Sequence, residues 1–152
     1  MHLTLTLDPF VDSDLLYAQQ LGVCRIIGDL PRWDLETLGA ARNRVEQAGL
    51  TLCGLGSLPA SLVATAISGH PKADEAAEQV SRIIADIGRA GISSVGYRWP
   101  LLDTDDRSST TQGRGGAIST IHRVEDIRHD AAGTEREALW QALSRFLRYV
   151  VP

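Results

Sequence analysis

Three junctions with the same design constrain the fold of this chain more than any other feature. The segments QLGVCRII, QAGLTLCG and RAGISSVG each bring a helical pattern to a glycine, at Gly22, Gly49 and Gly91, and continue directly into strand-forming residues. Glycine is the preferred residue just after a helix, because it adopts a left-handed backbone without steric cost. Strands that alternate with helices in this way are parallel and joined by right-handed crossovers. The sequence therefore predicts an α/β fold.

Hydrophobic patterning places four strands at about 3–7, 23–27, 50–55 and 92–97. Helices are predicted from Asp12 or Ser13 to Gly22, from Asp34 to Gly49, from Pro71 to Gly91 and over about 134–150, with a long polar loop over 98–133. A doubly wound nucleotide-binding sheet would carry a glycine-rich loop after its first strand, where this chain has Asp-Pro-Phe-Val-Asp. The pattern favours a partial TIM barrel of four consecutive βα units with a parallel sheet.

Size and charge exclude several classes of protein. A chain of 152 residues with 43% hydrophobic residues is expected to form one domain, 1–152, and a formal charge of −4 gives no field to attract nucleic acid. No apolar run approaches the roughly 18 residues of a membrane span, and the N-terminus lacks a secretory pattern. Cys24 and Cys53 lie in apolar runs and are predicted to be buried thiols in a reducing compartment, which favours the cytoplasm.

Several segments resemble one enzyme family. The run RAGISSVGYRWP, a following loop with DDRSSTTQGRGGA and then a helix resemble the N-terminal half of mannonate dehydratases, which are xylose-isomerase-like TIM barrels. AGL before the third strand and GHPKADEAAEQV at a helix start are similar to the same family. The resemblance implies dehydration of D-mannonate to 2-dehydro-3-deoxy-D-gluconate in hexuronate (glucuronate) catabolism.

The resemblance covers half of a barrel. A complete barrel has eight βα units and about 250 residues, whereas this chain has four units and stops at YVVP, where a fifth strand would begin. The resemblance implies a divalent metal, manganese or iron, whose ligands lie on later strands and not in this chain, so no catalytic or metal-binding residue is assigned here. The sheet edges and an exposed apolar layer are expected to cause self-association or pairing with a second half-barrel.

The candidate substrate contacts follow the fourth strand, at the end of the barrel where active sites form. Arg107 and Arg114 are predicted to bind the carboxylate or hydroxyls of a sugar acid, or else they belong to a loop that is simply solvated. Gly115, with its neighbours Gly113 and Gly116, would let the backbone approach a ligand. Tyr97 and Trp99 would line the same pocket, or else cap the interior layer of the barrel.

Other polar residues leave alternatives open. Arg25 points either into the barrel mouth or outward under a helix, and Asp8 either lines the site or opens a turn. The remaining histidines considered are interpreted as solvated or capping side chains, namely His70, His122 and His129. Two other functions remain, a sugar isomerase or epimerase of the same superfamily and a non-catalytic half-barrel fragment.

Overall fold

A computed structural model describes residues 3–7, 11–67, 71–98, 109–121 and 136–151 of the chain. In chain order its strands and helices are β1 Thr4–Leu7, α1 Asp12–Gln20, β2 Arg25–Gly28, α2 Leu35–Gln47, β3 Thr51–Leu55, α3 Ala60–Ile67, α4 Ala73–Arg89, β4 Ser94–Val95, β5 Ser109–Gln112, β6 Ile118–Ile121 and α5 Arg136–Val150. A single 3₁₀ turn, Arg114–Gly116, separates β5 from β6. Predictions for six residues lie outside the described residues: Asp8, His70, Trp99, Arg107, His122 and His129.

The main sheet has four parallel strands in the order β1-β2-β3-β4, which confirms the predicted α/β fold with its four βα units. All three junction glycines adopt a left-handed backbone, with φ of 73° at Gly22, 70° at Gly49 and 75° at Gly91. In each junction the residue after the glycine donates its N–H to a carbonyl five residues earlier, as in Val23 to Ala18 at 3.0 Å. This is the Schellman arrangement, which stops the helix and directs the chain into the next strand.

One face of the sheet packs against the helices. Leu5, Ile26 and Leu52 lie side by side across the three long strands, and all three belong to or pack against one hydrophobic cluster of the described residues, the core. Helices α1, α2, α4 and α5 contribute fully buried partners to that core, among them Leu15, Leu38, Val80 and Phe146. Because side chains alternate between faces along a strand, the neighbouring row of residues must point away from the helices.

That opposite face is polar, which corrects the expectation of an exposed apolar layer. The row Thr4, Arg25 and Thr51 pairs across the strands, and all three side chains are exposed. The next row contains Thr6, half-buried Ile27, a glycine and an exposed serine. Alternation is the physical reason, since Leu5, Ile26 and Leu52 occupy the row that faces the helices and the threonines, a serine and Ile27 are left on the open face.

The structure adds elements that the sequence patterning did not predict. Helix α3 forms in the small-residue stretch, where Val63 and Ala66 are buried although the segment lacks a clear amphipathic stripe. The segment predicted as a polar loop contains β5 and β6, which pair antiparallel in a separate sheet with Ser109 opposite Ile121. Strand β4 is only two residues long, and the carbonyl of Gly96 after it accepts a hydrogen bond from the N–H of Leu58 in the loop that follows β3.

The two cysteines do not behave alike. Cys53 is half-buried and its thiol donates to the carbonyl oxygen of Ile26 at 3.3 Å, whereas Cys24 is exposed, so its predicted burial is wrong. Val23, which is buried, takes the position facing the core, and Cys24 follows it just before β2 begins. None of the helices that the structure describes has the length and apolar character required to cross a bilayer.

Candidate functional site

The carboxyl ends of the parallel strands bring three short segments to one edge of the sheet. β2 ends at Gly28 and continues into Asp29, β3 continues into Gly56-Ser57, and β4 continues into Gly96-Tyr97-Arg98. Ligands of α/β proteins bind at this edge, because loops from several neighbouring strands meet there. β2 and β4 are two strand spacings apart, or about 10 Å, which is a suitable span for a small molecule.

Glycines hold these three strand ends close together. The N–H of Gly56 donates to the carbonyl of Gly28 at 3.0 Å, and the N–H of Gly96 donates to that of Leu55 at 2.9 Å. Leu58 completes the connection by donating its N–H to the Gly96 carbonyl at 2.8 Å. A Cβ atom at Gly96 would collide with the carbonyl oxygen of Gly56. The close approach of two backbones therefore requires glycine at position 96.

Asp29 is the carboxylate that this scaffold positions. Its Oδ1 accepts a hydrogen bond from the backbone N–H of Ser57 at 3.0 Å, and the side chain is half-buried. A Cβ atom at Gly56 would lie 3.0 Å from Oδ2 and 3.1 Å from Oδ1, so glycine is also what makes room for the carboxylate. Oδ2 accepts no hydrogen bond from the residues that the structure describes, and it is available to a ligand hydroxyl.

Sequence reasoning did not select Asp29. The signal was present, because an acidic residue directly after a strand of a βα unit lies at the edge where parallel strands end. The residue patterns alone assign no function to the segment from Gly28 to Pro31. In the structure, the register pairs Gly28 with Leu55 of β3, and this pairing brings Asp29 next to the loop that follows β3.

Tyr97 and Arg98 follow β4 on the same edge. The Tyr97 ring lies 6.1 Å from that of Phe146 in α5 at an interplanar angle of 49°, and 45% of the tyrosine remains exposed. The tyrosine is therefore supported by the helix layer while part of it faces solvent. Arg98 is exposed and lies three residues after the end of β4. A guanidinium here is suited to a carboxylate, which it can bind through two parallel hydrogen bonds.

The structure places Arg114 in the turn of the hairpin. Gly115 and Gly116 follow it with φ of 70° and 83°, which turns the chain between β5 and β6. Arg114 is exposed, and no hydrogen bond, ion pair or ring contact joins the described hairpin residues to Asp29, Tyr97 or Arg98. The structure thus brings Asp29, Tyr97 and Arg98 to one edge and leaves Arg114 and Gly115 on a separate hairpin.

Arg25 lies at the other end of the sheet. It is the first residue of β2, so the four-residue strand separates it from Asp29 by about 13 Å at 3.3 Å per residue. Its exposed side chain belongs to the row that points away from the helices. Of the two alternatives, the outward position under a helix is wrong, and Arg25 faces the open side of the sheet at its amino end.

The described residues do not fit a divalent metal. They contain no group of three or more His, Cys, Asp or Glu side chains arranged to hold a metal ion. Asp29 offers one carboxylate with one oxygen already bound to Ser57, whereas metals such as Mn²⁺ need several oxygen or nitrogen ligands. The arrangement at the carboxyl end of the sheet can bind hydroxyl and carboxylate groups but does not by itself supply a metal centre.

A groove of about 550 Å³ runs along the exposed side of α5. Its lining comes from that helix alone and includes Trp140, Arg148 and Tyr149. None of the strand-end residues described above lines it. The groove is therefore a feature of the helix layer and not part of the strand-end site.

Comparison with known proteins gives a relationship of fold. No family model matches the chain, and no curated protein matches it. Among solved structures, the mannonate dehydratase from Streptococcus suis serotype 2 matches with a TM-score of 0.77 at 21% sequence identity. The match covers 100% of this chain and 50% of the streptococcal chain, so the chain spans about half the length of that structure. At this identity the similarity shows that the two share a fold, a TIM-barrel-like arrangement of βα units.

Proposed function

We propose that this chain is the substrate-binding half of a (β/α)8 hydro-lyase that dehydrates D-mannonate to 2-dehydro-3-deoxy-D-gluconate in the cytoplasm. The observation that carries the proposal is the match of the whole chain to half of a mannonate dehydratase, with a TM-score of 0.77. The sequence resemblance, carried by the GRGGA loop and the GHPKADEAAEQV helix start, points to the same family. Together they support a sugar acid as the substrate class.

The reaction defines what the chain must bind. Loss of water from mannonate removes a proton from the carbon next to the carboxylate and expels a hydroxyl from the next carbon. The substrate carboxylate gains charge as the proton leaves, so cationic groups that bind it more tightly at that stage lower the barrier. Arg98, which lies three residues after the end of β4, is the proposed contact to the carboxylate. Arg107 and Arg114 are proposed as further contacts from the loop that follows.

Asp29 has a complementary role in this proposal. Its Oδ2 would accept a hydrogen bond from a substrate hydroxyl, while Oδ1 stays bound to the Ser57 N–H and fixes the orientation of the carboxylate. Tyr97 provides a half-exposed ring beside the site, against which the carbon skeleton of a sugar acid can pack. Both side chains bind and orient the substrate, and neither is assigned a proton-transfer step.

The divalent metal implied by the resemblance is proposed to bind outside this half. The described residues do not form its ligand set, so no catalytic step is derived through it. The proposal therefore requires a second (β/α)4 unit that provides the metal ligands and completes the barrel. Activity of the chain without such a unit would contradict this part of the proposal.

The test is an assay of D-mannonate dehydration in the presence of Mn²⁺. The chain is assayed alone and mixed with the separately expressed part of the Streptococcus suis enzyme that lies outside the match. Turnover only in the mixture is the expected result. Turnover by the chain alone would show that the metal site is within the chain, and absence of turnover in both would favour a non-catalytic half-barrel.

Arginine substitutions separate a dehydratase from a sugar isomerase. Arg98→Ala and Arg114→Ala are each expected to weaken mannonate binding in the mixture by at least ~tenfold, because a carboxylate loses a charged partner. An isomerase acting on a neutral aldose would be nearly insensitive to both. Arg82→Ala, at an exposed position of α4 where the guanidinium pairs with Glu78, is the matched control and should leave binding unchanged. Equal effects of Arg82→Ala and Arg98→Ala would refute a specific carboxylate contact.

A further inference from the structure

Among the described residues, most of the exposed large apolar side chains lie on the two outermost helices or directly beside their ends. On α1, beside the edge strand β1, Leu16, Tyr17 and the adjoining Leu21 are 54%, 58% and 53% exposed. On α5, which follows the other edge strand, Trp140 is 54% exposed. The inner helices differ, since among the described residues α2 has only Leu35 and α4 has none. Apolar exposure is thus concentrated where further βα units would continue the layer.

Ion pairs identify which flank of each outer helix is free. Asp12 of α1 pairs with Arg44 of α2 at 2.6 Å, so this side of α1 faces its neighbour in the sheet order. Tyr17 lies five residues further, a rotation of about 140° around the helix, and therefore on the opposite flank. On α5, Arg145 pairs with Asp74 of α4 at 3.1 Å, so this side of α5 faces α4. Trp140 lies five residues before Arg145 and is therefore also rotated by about 140° away from the paired side. Both aromatic side chains point away from the unit.

The open face of the sheet carries a positively charged side chain, Arg25. Arg25 is exposed in the row that faces away from the helices, between Thr4 and Thr51. The described strand residues on this face include no carboxylate, and no ion pair joins Arg25 to the described part of the chain. Closing the barrel would enclose the sides of this face, and an anionic partner would then stabilise the Arg25 guanidinium at the amino end of the sheet.

The symmetry of a barrel determines what a second copy would contribute. With eight strands in order, the second strand of one half lies across the barrel from the second strand of the other half. Two copies of this chain would therefore place Arg25 opposite Arg25. Two like charges enclosed together repel, and the other side chains on the described part of the open face are those of threonine, serine and isoleucine, which carry no charge.

We infer that the unit completing this barrel is not a second copy but a different (β/α)4 unit, which packs against the Tyr17 and Trp140 flanks and presents a carboxylate opposite Arg25. The inference rests on the proposed function for the need of a second half. It deepens that proposal by naming the chemistry of the partner. Shape and apolar contact at the edges allow closure, and the charge at Arg25 selects the partner.

A charge-reversed copy of the chain provides a direct probe of this partner chemistry. Wild type, Arg25→Glu and their equimolar mixture are compared by sedimentation velocity over micromolar concentrations, with circular dichroism to verify that each variant is folded. The mixture is expected to form a 1:1 complex at least tenfold tighter than either self-association. Arg82→Glu makes the same charge change on the exposed side of α4 and should give no such gain when mixed with wild type.

The outcomes are separate from those of the activity assay, because association is measured without substrate or metal. A wild-type dimer as tight as the mixed complex would overturn the inference and identify a second copy as the partner. Absence of association in the mixture would also overturn it, since the flanks would then not support closure. Adding Trp140→Ser to the wild-type partner should weaken the mixed complex at least tenfold, and an unchanged complex would contradict the proposed flank contact.

Discussion

Replacing Gly96 with alanine tests whether the strand-end scaffold is held by the contact between two backbones. Gly96 does not adopt a left-handed backbone, so the substitution introduces no conformational strain of that kind. The new methyl group would instead collide with the carbonyl oxygen of Gly56, a backbone atom that cannot move independently of β3. The ends of β3 and β4 must therefore separate.

The expected loss of stability can be estimated from the contacts that change. Overpacking at a site that cannot relax costs roughly 1–3 kcal/mol. Separation also weakens two hydrogen bonds, from Gly96 to Leu55 at 2.9 Å and from Leu58 to Gly96 at 2.8 Å, each worth roughly 0.5–1.5 kcal/mol net. Alanine recovers about 0.4–1 kcal/mol through the unfolded chain. The free energy of unfolding should fall by about 1–5 kcal/mol.

The assay is urea denaturation followed by circular dichroism, with Gly39→Ala as the matched control. Gly39 lies inside α2, and a Cβ atom there meets nothing within 4 Å. The same substitution should therefore raise the free energy of unfolding, by up to about 1 kcal/mol, because alanine favours the helix. A Gly96→Ala loss below about 1 kcal/mol, or effects of equal sign at both positions, would refute the assignment of Gly96 to a backbone contact.

Three further predictions follow from individual side chains. Asp34 caps α2 by accepting hydrogen bonds from the backbone N–H and the hydroxyl of Thr37, and these bonds lower the pKa of its carboxyl below the ordinary 3.8. Asp34→Ala should therefore lower the free energy of unfolding, measured by urea titration, at pH values above 3.8. The difference between the variant and wild type should shrink as the pH falls further below 3.8, because the carboxyl then becomes protonated in wild type. Phe146→Ala should lower the free energy of unfolding by about 3–5 kcal/mol in the same titration, because the ring is 2% exposed in the core; a loss under about 1 kcal/mol would contradict that placement of α5. Asp29→Asn should change the free energy of unfolding by less than about 1 kcal/mol, since the amide oxygen still accepts the Ser57 N–H. Calorimetry on the mixed halves should show ~tenfold weaker mannonate binding by this variant, because the ligand hydroxyl loses a charged acceptor. An unchanged affinity would show that Asp29 is not part of the site.

Local sequence patterns were sufficient to predict the repeating βα units of the fold. Gly22, Gly49 and Gly91 mark helix ends through their own conformational freedom, which is a property of the residue and its immediate neighbours. The parallel order of the sheet followed from these junctions because crossover connections have one hand. Helix α3 was missed because its burial depends on the rest of the core, and its small residues carry no strong periodic signal of their own.

The candidate site was predicted less completely. The sequence indicated the carboxyl end of the fourth strand, and Tyr97 and Arg98 lie there. It gave no reason to connect Asp29 with Ser57, which are 28 residues apart and meet only because β2 and β3 pair in register. The hairpin was also unforeseen, since its pairing depends on the left-handed glycines after Arg114.

The sequence by itself determined the alternation of strands and helices, the positions where helices end and the parallel direction of the sheet, because each depends on interactions between residues close in the chain. Only the tertiary structure decided which side of the sheet each residue occupies. A strand with apolar residues at alternating positions is compatible with either face until the helices cover one of them. In this protein the helices cover Ile26, and that choice leaves Arg25 on the open face.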